Sequence, residues 1–133
     1  MVTKEEVQQA YQKISSYRIA RIGDSVSGLF LQPVDFGTKL HLSALVYAGD
    51  KFIPYSVRKA ATLPLSYSPP IRTWLAINEE RFEIYLHFLE PIDPLDEHTL
   101  HELTSQFEET AILWRQIFEE RDRQDLVHVH QSR

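Results

Sequence analysis

Residues 81–91 read RFEIYLHFLEP. Taken with a period of two, Phe82, Ile84, Leu86 and Phe88 fall on one side of an extended segment, so this stretch reads as a strand with one wholly apolar face. Its other face, Arg81, Glu83, Tyr85, His87 and Leu89, is mixed. Shortly after it the period changes. Leu100, Leu103, Phe107, Ala111, Trp114 and Phe118 recur at spacings of three and four, which places them on one side of a long helix. A strand with one apolar face followed by a helix with an apolar stripe predicts that the helix lies on a sheet, an α+β arrangement.

The helix is expected to start near Asp93-Pro94-Leu95-Asp96, with Asp93 as N-cap, Pro94 at the first helical position and carboxylates against the positive end of the dipole. Ile112, Leu113 and Ile117 widen its stripe beyond what one sheet face covers. Upstream, Trp74–Ile77 is predicted to form a hairpin with the Phe82–Leu89 strand around Asn78-Glu79-Glu80.

At the other end of the chain, Thr3-Lys4-Glu5-Glu6 has the form of a capping box, Thr3 as N-cap and Glu6 at N3. The short helix it opens carries Val7, Ala10, Tyr11 and Ile14 at helical spacing and ends at Ser15-Ser16. Three strand-like runs follow: Tyr17–Ile22, Val26–Val34 and Leu40–Tyr47. Gly23-Asp24 and Asp35-Phe36-Gly37 supply the turns, and links this short predict an antiparallel meander. Residues 49–72 hold Pro54, Pro64, Pro69 and Pro70, leaving only Ser56–Leu63 free to be helical. Phe52, Ile53, Tyr55, Leu63, Leu65, Tyr67 and Ile71 make this middle too apolar for a solvated loop; it is expected to pack on the domain or on a partner.

The expected architecture is thus an N-terminal helix, an antiparallel β-meander, an irregular Pro-rich middle, a β-hairpin and a long C-terminal helix packed on a twisted antiparallel sheet. Residues 1–123 are expected to form a single domain, followed by a flexible C-terminal tail over 124–133. A chain of 133 residues buries enough surface for its own core.

The totals exclude several functions. There is no cysteine, so disulfides, thiolate ligands and a Cys nucleophile are ruled out. A formal net charge of −5 argues against direct nucleic-acid binding through the phosphate backbone. No apolar run approaches the length of a membrane span, and the N-terminus lacks the apolar core of a signal peptide, so no membrane insertion is expected and a cytoplasmic protein is.

Nothing in the chain organises catalysis. His98 and His101, spaced i, i+3, lack the H-E-x-x-H context and read as a solvated first turn; no metal site is expected there. His128 and His130 lie in the expected tail. His41 and His87 read as half-buried strand residues. Glu79-Glu80, Glu108-Glu109 and Glu119-Glu120 are adjacent acids that point apart. The four glycines form no phosphate-cradling loop, and no serine sits in a nucleophile elbow, so neither cofactor nor enzymatic activity is expected. The positive signal is apolar surface: a broad helix stripe, an aromatic middle and a mixed second strand face together point to a surface completed by another chain.

The order of elements and the acidic balance resemble the small dimeric chaperones of type III secretion. The strand FEIYLHFLEPID and the following helix through Leu100, Leu103, Phe107, Ala111, Trp114 and Arg115 look like that family's last strand and last helix. The resemblance is carried by about residues 73–118. It implies a non-enzymatic cytoplasmic chaperone that keeps a segment of a secreted effector or gatekeeper protein extended on its surface. By that analogy Val7, Tyr11, Ile14, Leu29 and Leu31 are expected to contact substrate. Family members have a clear helix between their third and fourth strands, whereas four prolines here leave room for about two turns. The chain therefore resembles most the subset, notably its chlamydial members, that pairs with a related small chaperone subunit, with Trp74, Ile84 and Leu86 as expected interface residues. Some members of the family bind transcriptional regulators, so the alternative reading is a protein-binding regulator of transcription acting on RNA polymerase or a sigma factor.

Overall fold

The capping box forms as expected: Thr3 Oγ1 accepts a hydrogen bond from the Glu6 backbone N–H at 3.2 Å, and Glu6 Oε1 accepts one from the Thr3 N–H at 3.1 Å. In the computed structural model, which describes residues 2–24, 28–65, 69–91 and 95–131, it opens helix α1 (Lys4–Ser15). The second carboxylate oxygen of Glu6 accepts from the Gly23 N–H at 3.0 Å, so the cap also ties the helix to the turn that follows the first strand.

Helix α1 ends in a paired closure. The Tyr17 N–H donates to Ile14 O at 2.9 Å and the Arg18 N–H to Lys13 O at 2.8 Å. That motif needs a left-handed residue where glycine is usual, and Tyr17 takes it at φ 58°. The first strand, expected from Tyr17, is shortened for this reason to β1 (Ala20–Ile22). Strand β2 (Leu29–Val34) and the ten-residue β3 (Lys39–Ala48) complete an antiparallel meander. Val26, expected to start the second strand, lies outside the described residues.

Three of the four residues of the β2–β3 turn also adopt left-handed backbone, Asp35 (φ 54°), Phe36 (φ 58°) and Gly37 (φ 80°). A Cβ at Gly37 would stand 2.2 Å from Tyr17 Cε1, so glycine is required both by its φ and by the tyrosine ring laid over it.

The middle segment forms one short helix, α2 (Tyr55–Ala61), close to the two turns expected between the prolines. Ile53, Val57 and Ala60 are buried, Leu65 and Ile71 pack against the core, and Phe52, Tyr55 and Leu63 are exposed. Tyr67 is not among the described residues.

Strands β4 (Trp74–Asn78) and β5 (Glu83–Pro91) form the expected hairpin. Asn78 Oδ1 accepts from the Glu80 and Arg81 N–H groups and closes the turn. Phe82, expected in the strand, instead sits at φ 58° in that turn, where its carbonyl accepts from the Gly49 N–H at 2.7 Å.

The five strands order as β1-β2-β3-β5-β4, all neighbours antiparallel. β5 therefore enters beside β3 and leaves β1 and β4 as the two edges. Helix α3 (Glu97–Gln131) crosses the sheet. Its start is capped by Asp96, whose Oδ1 accepts from the Thr99 N–H at 2.7 Å and whose carbonyl accepts the first helical bond, from Leu100. The expected cap, Asp93-Pro94, is outside the described residues. The helical backbone continues to Gln131, across the boundary at residue 123 where a tail was expected to begin.

The core lies between α3, α1, α2 and one sheet face. Leu100, Phe107, Ala111, Trp114 and Phe118 of α3 meet Leu31, Leu40, Leu42, Ala44, Ile84, Leu86 and Phe88. Ile112, one of the residues that broadens the helix stripe, is exposed. Thr104 and Thr110, buried on α3, return their hydroxyls to the carbonyls of Leu100 and Gln106. A β-bulge between Leu45 and Tyr47 interrupts the β3–β5 ladder, and the Leu45 carbonyl accepts from Arg115 Nε of α3 at 2.9 Å.

Candidate partner-binding surfaces

Alternation divides the residues expected to touch other proteins into two groups. Val7, Ile14, Leu29, Leu31, Ile84 and Leu86 all point into the core, none more than 3% exposed. A side chain without accessible surface cannot contact a docked chain, so in this conformation these six hold the fold together. The physical reason is the same for each: the apolar stripe that made them conspicuous is the stripe each element turns inward. Tyr11 is half-buried, packs against the core and donates its hydroxyl to Leu95 O at 3.3 Å. Trp74 is 47% exposed and reaches the surface.

Trp74 belongs to the β4 edge, whose outer row of backbone groups meets no described strand. The edge carries no Lys, Arg, Asp, Glu or Pro between Trp74 and Asn78, the residues that usually blunt such an edge. Ile77 is exposed on the same strand. Beneath the edge a groove of about 580 Å³ runs between the middle segment, β4 and α3, lined by Leu63, Leu65, Ile71, Trp74, Leu75 and Trp114. Arg58 of α2 grips Glu79 beyond the end of β4 through two parallel 2.8 Å bonds, which fixes α2 against the hairpin turn.

The opposite edge, β1, is short and adjoins α1. Tyr17, 73% exposed, and Ile19, 48% exposed, stand immediately before it.

The second sheet face, turned away from the helices, carries a row that no single stretch of sequence contains. In register across the sheet lie Arg21, Phe30, Ser43, His87 and Trp74. The Arg21 guanidinium sits over the Phe30 ring, 5.4 Å from its centroid. His87 stacks between partners: the Trp74 indole is 5.4 Å away at 19°, and the His41 imidazole 5.1 Å away at 23°. His41 Nε2 and His87 Nδ1 are 2.9 Å apart, a hydrogen bond in which one ring donates and the other accepts. Burial depresses the pKa of both imidazoles, and at His87 the neighbouring His41 charge adds to it. Tyr85 lies next along β5 and donates its hydroxyl to Glu83 at 3.1 Å. A depression of about 540 Å³ over Phe30, Ser43, Leu45 and Tyr85 opens on this face.

The alternation around His87 marks it as lying on the mixed face. Its contact with His41, 46 positions away, exists only through the β3–β5 register. His98 is exposed and pairs with Glu102 at 3.3 Å on its own helix. Among the described residues no group of three His, Cys, Asp or Glu converges as a metal site requires. Also among the described residues, no helix is long and apolar enough to cross a membrane.

No protein-family model matches this sequence, and no curated protein matches it. Solved structures do. A chain of the heterodimeric complex ExoU-SpcU from the type III secretion system of Pseudomonas aeruginosa aligns over 88% of this chain and 97% of its own, with TM-score 0.57 and 13% identity. A chain from the complex of the Yersinia pestis type III secretion chaperone SycH with a stable fragment of YscM2 aligns over 84% and 98%, with TM-score 0.52 and 9% identity. A chain of the HopA1-SchA chaperone-effector complex aligns over 85% and 92%, with TM-score 0.54 and 18% identity. The chain has a type III secretion chaperone-like fold. The alternative reading, a transcriptional role on RNA polymerase or a sigma factor, finds no support among these likenesses.

Proposed function

We propose that this protein is a non-enzymatic, cytoplasmic chaperone of type III secretion that holds an extended segment of a secreted effector or gatekeeper protein and works beside a second small chaperone subunit. The observation that carries the reading is an unblunted, apolar β4 edge on a fold shared with structures of chaperones in complex with other proteins. An edge of this kind takes another chain by adding a strand, with backbone hydrogen bonds supplying affinity and side-chain grooves supplying selectivity.

The two edges divide the work. At β4, Trp74 and Ile77, with the groove floored by Trp114, accept the second subunit. At β1, Tyr17 and Ile19 form the rim along which an extended substrate lies. The buried residues Val7, Ile14, Leu29, Leu31, Ile84 and Leu86 back these surfaces from within.

The test is co-purification from the native organism's lysate with three baits: wild type, Ile77→Lys and Tyr17→Asp. Wild type should retain a small subunit and a larger secreted protein in fixed ratio. Ile77→Lys should lose the small one, and Tyr17→Asp the larger. Retention of both proteins by both variants would refute the assignment of the edges, and an empty wild-type bait would refute the chaperone reading itself.

A further inference from the structure

The imidazole pair on the open sheet face is joined to the β4 edge through a single stack, since His41 bonds His87 and His87 lies flat against Trp74. One hydrogen bond between two imidazoles needs one nitrogen with a lone pair. It survives with both rings neutral, or with one proton added and shared, but not with both rings charged. The second proton removes the acceptor and sets two like charges side by side.

Charged groups on the surrounding strands offer little compensation. On β3, Lys39 lies two residues from His41 and is ion-paired with Asp35 at 3.7 Å. On β5, Glu83 receives the Tyr85 hydroxyl, whose ring is 6.3 Å from that of His87. Opposite His41 stand Gln32 on β2 and Leu89 on β5, and opposite His87 stand Ser43 and Trp74, none of them charged. Among the described residues no carboxylate is bonded to either ring, so double protonation is relieved by the rings moving apart. His87 then either leaves the Trp74 face or changes the charge pressed on it.

We propose that the His41–His87 pair is a proton-operated control on Trp74: with the rings bonded, the indole is held flat at the β4 edge, and when both rings carry protons the bond breaks and Trp74 is released or repositioned. Docking at that edge, on the chaperone reading given above, is therefore favoured at neutral pH and weakened by acid. Burial of both rings below the ordinary imidazole range places the change on the acid side of neutrality. The two sites titrate as a coupled pair, in two steps belonging to the pair rather than to either ring.

The experiment needs no partner, so its outcome is separate from that of the chaperone reading. The full chain labelled with 5-fluorotryptophan gives two 19F resonances, assigned by Trp74→Phe. Between pH 8 and pH 5 the Trp74 resonance should move with a midpoint below about 6.5, the ordinary imidazole value, while that of buried Trp114 stays in place. His87→Gln should abolish the shift, and in His41→Gln the two-step movement should reduce to a single step that tracks the His87 ring. In His41→Gln, the His87 ring signals should follow one step, displaced upward from the wild-type position because the neighbouring charge is gone. A Trp74 resonance that is flat with pH, that titrates unchanged in both glutamine variants, or that moves only together with Trp114 overturns the proposal.

Discussion

Trp114→Ala separates the core from the surface in one comparison with Trp74→Ala. The Trp114 side chain is 7% exposed and stacks on Phe118 at 5.3 Å between centroids. A buried indole removes up to about 250 Å² from water, worth roughly 6 kcal/mol at 25 cal/mol per Å² as an upper bound. Core Trp→Ala substitutions cost about 3–5 kcal/mol. Trp114 also floors the groove under β4, so the space it leaves is open to water and collapses or hydrates more cheaply than a sealed cavity. The expected loss is therefore in the lower half of the range, about 3–4 kcal/mol. Trp74, 47% exposed on an edge strand, should cost only about 1 kcal/mol. Urea unfolding followed by far-UV circular dichroism measures both, with the midpoint falling and the slope unchanged. Equal losses in the two variants, or a Trp114→Ala loss below about 1 kcal/mol, would refute the placement of the indole in the core.

Other outcomes follow from the geometry. Thr3→Ala removes a helix cap and should cost about 1 kcal/mol by urea unfolding; if stability is unchanged, the bond from Glu6 to Gly23 holds the helix without Thr3. Gly37→Ala forces a side chain into a left-handed position beneath Tyr17 and should lose about 1–2 kcal/mol, with Tyr17→Ala restoring part of it; no rescue would mean that φ alone sets the cost. Because the folded state holds His41 and His87 below the ordinary imidazole pKa, the unfolded chain binds more protons in mild acid. Their contribution is complete above about pH 6.5 and is lost as pH falls through the folded values. The drop in urea midpoint between pH 7.5 and 5.5 should therefore shrink in His41→Gln; an equal drop would place the sensitivity elsewhere.

Much of the fold was legible because its elements announce themselves locally. Thr3 and Glu6 read as a capping box, the period-two run through Ile84, Leu86 and Phe88 as a strand, and the three-and-four spacing from Leu100 to Phe118 as a helix on a sheet. Strand ends differ from the sequence reading where non-glycine residues enter left-handed backbone: Tyr17 and Phe82 are good strand formers, held in turns by the closure of α1 and by the bond from Gly49. Residues that would face a partner are harder to read for a physical reason. Apolar periodicity finds the face that a protein hides from water, so Val7, Ile14, Leu29, Leu31, Ile84 and Leu86 were visible as a stripe and are core. A surface that awaits a partner has no period of its own. Of the residues expected at an interface, Trp74 is exposed, and its neighbours on the open face, His87 and His41, come from strands whose pairing no local pattern specifies.

The bond from Arg115 to the Leu45 carbonyl gives the long helix a fixed point on the sheet. Past Phe118 the backbone runs on to Gln131, roughly 20 Å at 1.5 Å per residue. The peptide that Arg115 holds lies at the bulge, where the strand has left the regular ladder, so that the place of Leu45 on β3 depends on the helix as well as on β5. Across from Leu45 on the open face stands Tyr85, and one row further His87. The helix and the aromatic row are on opposite sides of the sheet, and Leu45 joins them, tied to one through its carbonyl and to the other through its pairing with Tyr85.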